Sequence, residues 1–172
     1  MMTYNIHPIL VHFPVALLFL YSIIKVLPLK KWFPDVSWKH IERALLFFGV
    51  LGALAADATG SLAQHLVHPN RQLVNAHSTF AGLSTFLYGV LLLGEIVAVI
   101  NANYKRFIPV GLVQNILNFI EKALCHPVYS NTLAILGFIA ISVTGLLGGV
   151  MVFGLTADPV AGTVVKLLGI HL

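Results

Sequence analysis

Two histidines and two prolines open the first apolar run of the chain, His7-Pro8-Ile9-Leu10-Val11-His12-Phe13-Pro14. Six more histidines follow: His40, His65, His68, His77, His126 and His171. Imidazole is the commonest metal ligand, and its charge changes near neutral pH. In a four-helix bundle, a histidine from each of two diagonal helices can fill both axial positions of a haem iron. His12 and His77 are the pair expected to do so, with His7 in support. His12 stands about one turn inside its helix, roughly 5–6 Å, whereas His77 is close to a helix boundary, so His7 is the alternative partner on depth. Five residues on a regular helix rotate by about 140°, so His7 and His12 share one centre only if Pro14 or a non-helical start bends the path. A haem is broad and flat and needs small residues around it. Gly82, Gly148 and Gly149 lie at the same end and are expected to supply that space, although glycines also serve simply to let helices approach.

A second chemistry is a non-haem metal site. His65 and His68 are spaced i, i+3 and share a helix face. With His77, and with His7 or His12, they form an all-nitrogen set suited to zinc, copper or non-haem iron. Asp57 is then the acid expected behind the ligands. A third reading is structural: the histidines cap helix ends, and the glycine-rich faces are contacts within a larger membrane complex. Glu95 reads as an isolated helix–helix or headgroup contact, since no second acid lines up with it. Cys125 beside His126 reads as incidental. There is no phosphate-binding glycine loop, His-Glu-x-x-His zinc motif, nucleophile elbow or Cys-x-x-Cys-His haem-attachment motif.

The elements that must position these residues are membrane helices. Of 172 residues, 58% are hydrophobic and 9% charged, against about 25% charged in a soluble domain. Four stretches reach the roughly 20 apolar residues that a bilayer requires, at about 8–27, 41–66, 76–100 and 132–153. A fifth, about 107–124, repeats apolar residues at Ile108, Leu112, Ile116, Ile120 and Leu124 and reads as an amphipathic helix at the membrane surface. The expected fold is therefore all-α: a single polytopic domain, 1–172, built as an up-down four-helix transmembrane bundle with an added interfacial helix. The tail from Thr156 to Leu172 has no clear assignment. No basic residue precedes Lys25, so the first run is expected to be a retained helix and not a cleaved signal peptide.

Charge orients the bundle. Lys25, Lys30, Lys31, Lys39, Arg43, Lys105, Arg106 and Lys122 fall on one side, and only Arg71 and Lys166 on the other. The positive-inside rule puts the first group in the cytoplasm. Both termini are then periplasmic in a bacterial inner membrane, and His7, His12, His65, His68, His77 and His171 gather on the outer side. The basic residues form no nucleic-acid patch.

The opening His7-Pro8-Ile9-Leu10-Val11-His12-Phe13-Pro14-Val15-Ala16-Leu17 resembles the start of a bacterial family of small, uncharacterised four-helix membrane proteins. The likeness extends to the second-span segment ending at Gly60, to Ala76-His77, and to Gly148-Gly149-Val150-Met151-Val152-Phe153. It implies that His7, His12 and His77 are the functional positions. Relatives that accompany cytochrome-like modules favour haem, whereas His65, His68 and the 107–124 segment depart from the family pattern. Together these readings point to a haem b-binding membrane protein of an electron-transfer chain, exchanging electrons with quinol or a periplasmic carrier. It is expected to act as an electron-transfer or accessory subunit, since one haem near one face does not by itself carry electrons across the bilayer.

Overall fold

The computed structural model describes residues 7–66, 70–104, 106 and 111–171, the side chains of residues 8, 61–66 and 157 excepted. The regular structure of the described residues is all helical: α1 (His7–Val26), α2 (Leu29–Trp32), α3 (Trp38–Leu66), α4 (Arg71–Tyr104), α5 (Leu112–Leu124), α6 (Pro127–Phe153), a 3-10 turn (Gly154–Ala157) and α7 (Ala161–Leu167). The four long helices form a ring in which α1 and α4 each pack against α3 and α6. α1 and α4 are therefore diagonal.

The seams show alternating directions. A Cβ placed on Gly49 would meet Leu18, one on Gly52 would meet Phe13 and Pro14, and one on Gly60 would meet His7, so α3 runs antiparallel to α1. Between α4 and α6, Gly148 faces His77 and Gly137 faces Tyr88. This is the expected up-down arrangement, held together by glycines wherever a neighbouring side chain needs the space.

Among the described residues, three stretches are long and apolar enough to cross a membrane by length and composition: Ile9–Val26, Arg71–Tyr104 and Pro127–Thr156. The expected fourth span, α3, ends in residues 61–66, whose side chains lie outside those described. It is a full 29 residues long. Two boundaries differ from expectation. α4 begins at Arg71, not near 76, because the Asn70 Oδ1 accepts from the Gln72 N–H (2.8 Å) and caps the helix there. α6 begins at Pro127, not near 132: proline suits the first turn, and the His126 Nδ1 accepts from the Val128 N–H at 3.4 Å. α5 is present over Leu112–Leu124; positions 107–110 of the expected interfacial helix lie outside the described residues.

The central core combines Leu18 and Tyr21 of α1, Leu46 and Val50 of α3, Tyr88 and Leu91 of α4, and Ala134 and Ile141 of α6. The Ser22 and Tyr88 hydroxyls share a hydrogen bond of 2.7 Å within it. The outer faces are apolar, with Phe86 and Leu93 on α4 and Ile135 and Ile139 on α6 all exposed, as suits a lipid environment. The tail is not loose. Ala161, Val165 and Ile170 pack with Leu73, Leu147 and Val150 in a second core at the end of the bundle where α1 begins. Asn70 Nδ2 donates to the His171 carbonyl, and the His171 N–H donates to Gln72 Oε1, both at 2.9 Å.

Candidate functional site

His7 stands at the first position of α1 and is half-buried. Its Nδ1 lies 2.9 Å from Thr59 Oγ1 on α3. Gly60 leaves room beside the ring, since a Cβ there would stand 3.5 Å from His7 Cε1. Burial holds the His7 pKa below the ordinary value, against the opposing pull of the Ala56 carbonyl and the Asp57 carboxylate. Asp57, the acid expected behind the ligands, is thus within electrostatic reach of His7, although its own side chain is exposed.

His77 lies on α4, one and a half turns after its start. Its Nδ1 is 3.0 Å from the Thr144 carbonyl of α6. A carbonyl oxygen only accepts, so Nδ1 carries the proton and the lone pair of the neutral ring is on Nε2. Gly148, one turn beyond Thr144, lets the ring lie against α6: a Cβ there would be 3.4 Å from His77 Cε1. Thr144 is itself buried, its hydroxyl donating to the Ala140 carbonyl at 2.8 Å. The two imidazoles come from diagonal helices, both near the end of the bundle where α1 begins. All four long helices contribute: α1 and α4 a ring each, α3 and α6 the oxygens that hold them.

The remaining expected site residues are placed as follows. His12 is exposed on α1. Gly149 is half-buried beside Gly148. Gly82 is exposed on α4, and a Cβ added there would meet nothing within 4 Å. His68 lies outside the described residues, as does the side chain of His65. Among the described residues no three His, Cys, Asp or Glu side chains are grouped as a metal site. Thr59 and the Thr144 carbonyl were not singled out by sequence as partners of the rings. The signal for Thr59 was its place one residue before Gly60, opposite the chain's first histidine.

The opposite end of the bundle is ionic. Glu95 is buried and is not isolated: Lys39 Nζ pairs with one carboxylate oxygen, and Arg43 Nε donates to the other at 2.9 Å. Lys25 and Glu42 pair at 3.4 Å. Cations brought by α3, and not a second acid, give Glu95 its partners. Asn101 donates to Glu121 of α5 at 2.6 Å, so part of the polar side of that helix faces α4. Cys125 sits beside this network, its Sγ 3.4 Å from the Gly94 carbonyl, and burial together with the Glu95 charge pushes its thiol pKa up.

The profile of a family described as "Predicted membrane protein (DUF2231)" matches residues 3–158. That span includes all four long helices and both imidazoles and stops short of α7. No curated protein and no solved structure matches the chain. The chain belongs to the DUF2231 family of predicted membrane proteins.

Proposed function

We propose that this DUF2231 member binds one haem b, with His7 and His77 as the axial ligands, and serves in electron transfer. The observation that carries the reading is that two imidazoles from diagonal helices, at the same end of the bundle, are each held by a hydrogen bond to a neighbouring helix. Among the described residues the donor set favours haem over a bare ion. A zinc or other non-haem site draws three or four protein ligands, whereas a haem iron in a bis-histidine protein takes two. The fixed Nδ1–H of His77 leaves its Nε2 lone pair for a metal, the arrangement that outer hydrogen bonds commonly impose on ligating histidines. Bound haem would supply one-electron chemistry; the protein's part is to orient the rings and to keep them neutral and shielded. His7 replaces His12 as the partner of His77 because His12 is exposed.

In this reading α3 spans the membrane with the other three long helices. Its exposed Phe47, Phe48, Leu51 and Leu54 form an apolar outer stripe matching those of its neighbours. Lys39, Arg43, Lys25 and the α2 lysines then face the cytoplasm, and the imidazoles lie near the periplasmic face of a bacterial inner membrane. Quinol or a periplasmic carrier is the electron partner on that side, within a larger complex if electrons are to cross.

The test is the visible spectrum of the purified protein, oxidised and dithionite-reduced. A Soret band that shifts on reduction is expected in wild type and in His12→Ala, and is lost or altered in His7→Ala and His77→Ala. Absence of the band after expression with ample haem overturns the proposal, and elemental analysis of the same sample then decides for or against a bound non-haem metal.

A further inference from the structure

We infer that residues 158–171 are a strap that seals one end of the α4/α6 seam and governs how readily His77 is reached from the aqueous side of that end. The inference deepens the proposed function, since His77 is one of its two ligands, but its test reads the bare ring and needs no haem. The strap begins where the match to the family profile ends, at residue 158.

Three features fasten it. At its start, Asp158 Oδ1 accepts from the Val160 N–H at 2.8 Å and the Asp158 carbonyl from the Ala161 N–H at 3.0 Å, which turns the chain into α7 directly after the 3-10 turn. At its far end Gly169 has φ +65°. The Gly169 N–H donates to the Lys166 carbonyl at 3.0 Å and the Ile170 N–H to the Val165 carbonyl at 3.1 Å. This is a Schellman ending, which sets the residue after the glycine against the last turn of the helix. Ile170 and Val165 accordingly lie in one core with Leu73 and Leu147. The main chain of His171 then bonds twice to the start of α4, through Asn70 Nδ2 and Gln72 Oε1.

Leu73 stands one turn of α4 before His77 and shares its face. Leu147 immediately precedes Gly148, against which the His77 ring lies. The strap buries both leucines, at 3% and 0% exposure, and they form the last apolar layer between His77 and that end of the bundle. A solute arriving there meets Val165 and Ile170 first and reaches the imidazole when the strap opens. Local openings of this kind need less free energy than global unfolding. Gly169 is the position where a small change makes them more frequent. An L-residue is strained in left-handed backbone, and alanine there removes no side chain from the strap.

The test is carbethoxylation of the histidines by diethyl pyrocarbonate in the haem-free protein in detergent, timed residue by residue by mass spectrometry. Alkylation of Cys125, at the opposite end of the bundle, reports global unfolding. In wild type, His77 is expected to react far more slowly than the exposed His12. Gly169→Ala is expected to speed His77 roughly tenfold, the effect of one left-handed alanine on strap opening, with Cys125 unchanged. A chain ended after Asp158 is expected to bring His77 to within a few-fold of His12. An unchanged His77 rate in either folded variant overturns the inference. A rise of the His77 and Cys125 rates together in Gly169→Ala also overturns it, because the whole bundle, and not the strap, then shields the ring. If the shortened chain does not fold, Gly169→Ala decides. Absence of a Soret band overturns the bis-histidine reading alone, and the strap is still judged by these rates.

Discussion

On α1, five residues separate a half-buried histidine from an exposed one. His7 touches Thr59 and lies beside Gly60, whereas His12 is exposed, as a rotation of about 140° requires. The environment of His7 also gives it a pH dependence. Burial lowers its pKa, so the folded state prefers the neutral ring. That preference is fully present above the unperturbed histidine value of about 6.5 and is lost as pH falls through the lower folded value. If haem is bound as proposed, its retention, followed by the Soret band, is therefore expected to hold down to about pH 6.5 and to decline below it. Cys125 behaves in the opposite sense. Its thiol is pushed up by burial and by Glu95, so alkylation by N-ethylmaleimide at neutral pH is expected to run slower than that of a free thiol and to accelerate as pH rises.

Between elements, glycine decides how closely helices approach, but not every glycine has that role. A Cβ on Gly137 would stand 2.8 Å from Tyr88 Cζ, and Tyr88 is fully buried with its hydroxyl bound to Ser22. That ring has nowhere to move. Gly137→Ala is expected to destabilise the protein in detergent by about 1–3 kcal/mol, read as a lower thermal midpoint. Gly82→Ala is the matched control, since nothing lies within 4 Å of its Cβ position. It is expected to leave stability unchanged or to raise it by up to about 1 kcal/mol through lower chain entropy. The contrast separates glycines that sequence alone presents as equivalent.

At the scale of the molecule, the two ends of the bundle are built differently. One end is an ionic clamp of Lys39, Arg43 and Glu95. The other is closed by the tail, whose Val165 and Ile170 pack with Leu73 and Leu147, residues that neighbour His77 and Gly148 in sequence. Val165→Asp would place a charge among these apolar side chains, which is costly without a partner. It is expected to release the tail, lower the thermal midpoint and increase protease cleavage after residue 158, while the central core around Tyr21 and Tyr88 persists. Between the two ends, the buried Ser84, Ser130 and Thr144 hydroxyls donate to carbonyls of their own helices. They are satisfied locally and do not form a continuous polar chain along the axis.

Composition and hydropathy determined the all-helical membrane character, the number of long helices and their alternation. These depend on local patterning: apolar runs of bilayer length, broken by proline and basic residues. Local chemistry also held the starts of α4 and α6, in Asn70 and in His126-Pro127, though apolar windows alone misplaced both. Which of His7 and His12 is turned toward α3 was not readable in the same way. His7 and His12 belong to one motif, and only the rotation of α1 against the Gly49, Gly52 and Gly60 seam of α3 turns His7 inward. The partners of Glu95, the Thr59 oxygen and the Thr144 carbonyl are likewise supplied by other helices, 52 or more residues away in the chain. Tertiary structure decided these contacts because a side chain's direction across a bundle depends on helix rotation and register, and those are set by the packing of all four helices together.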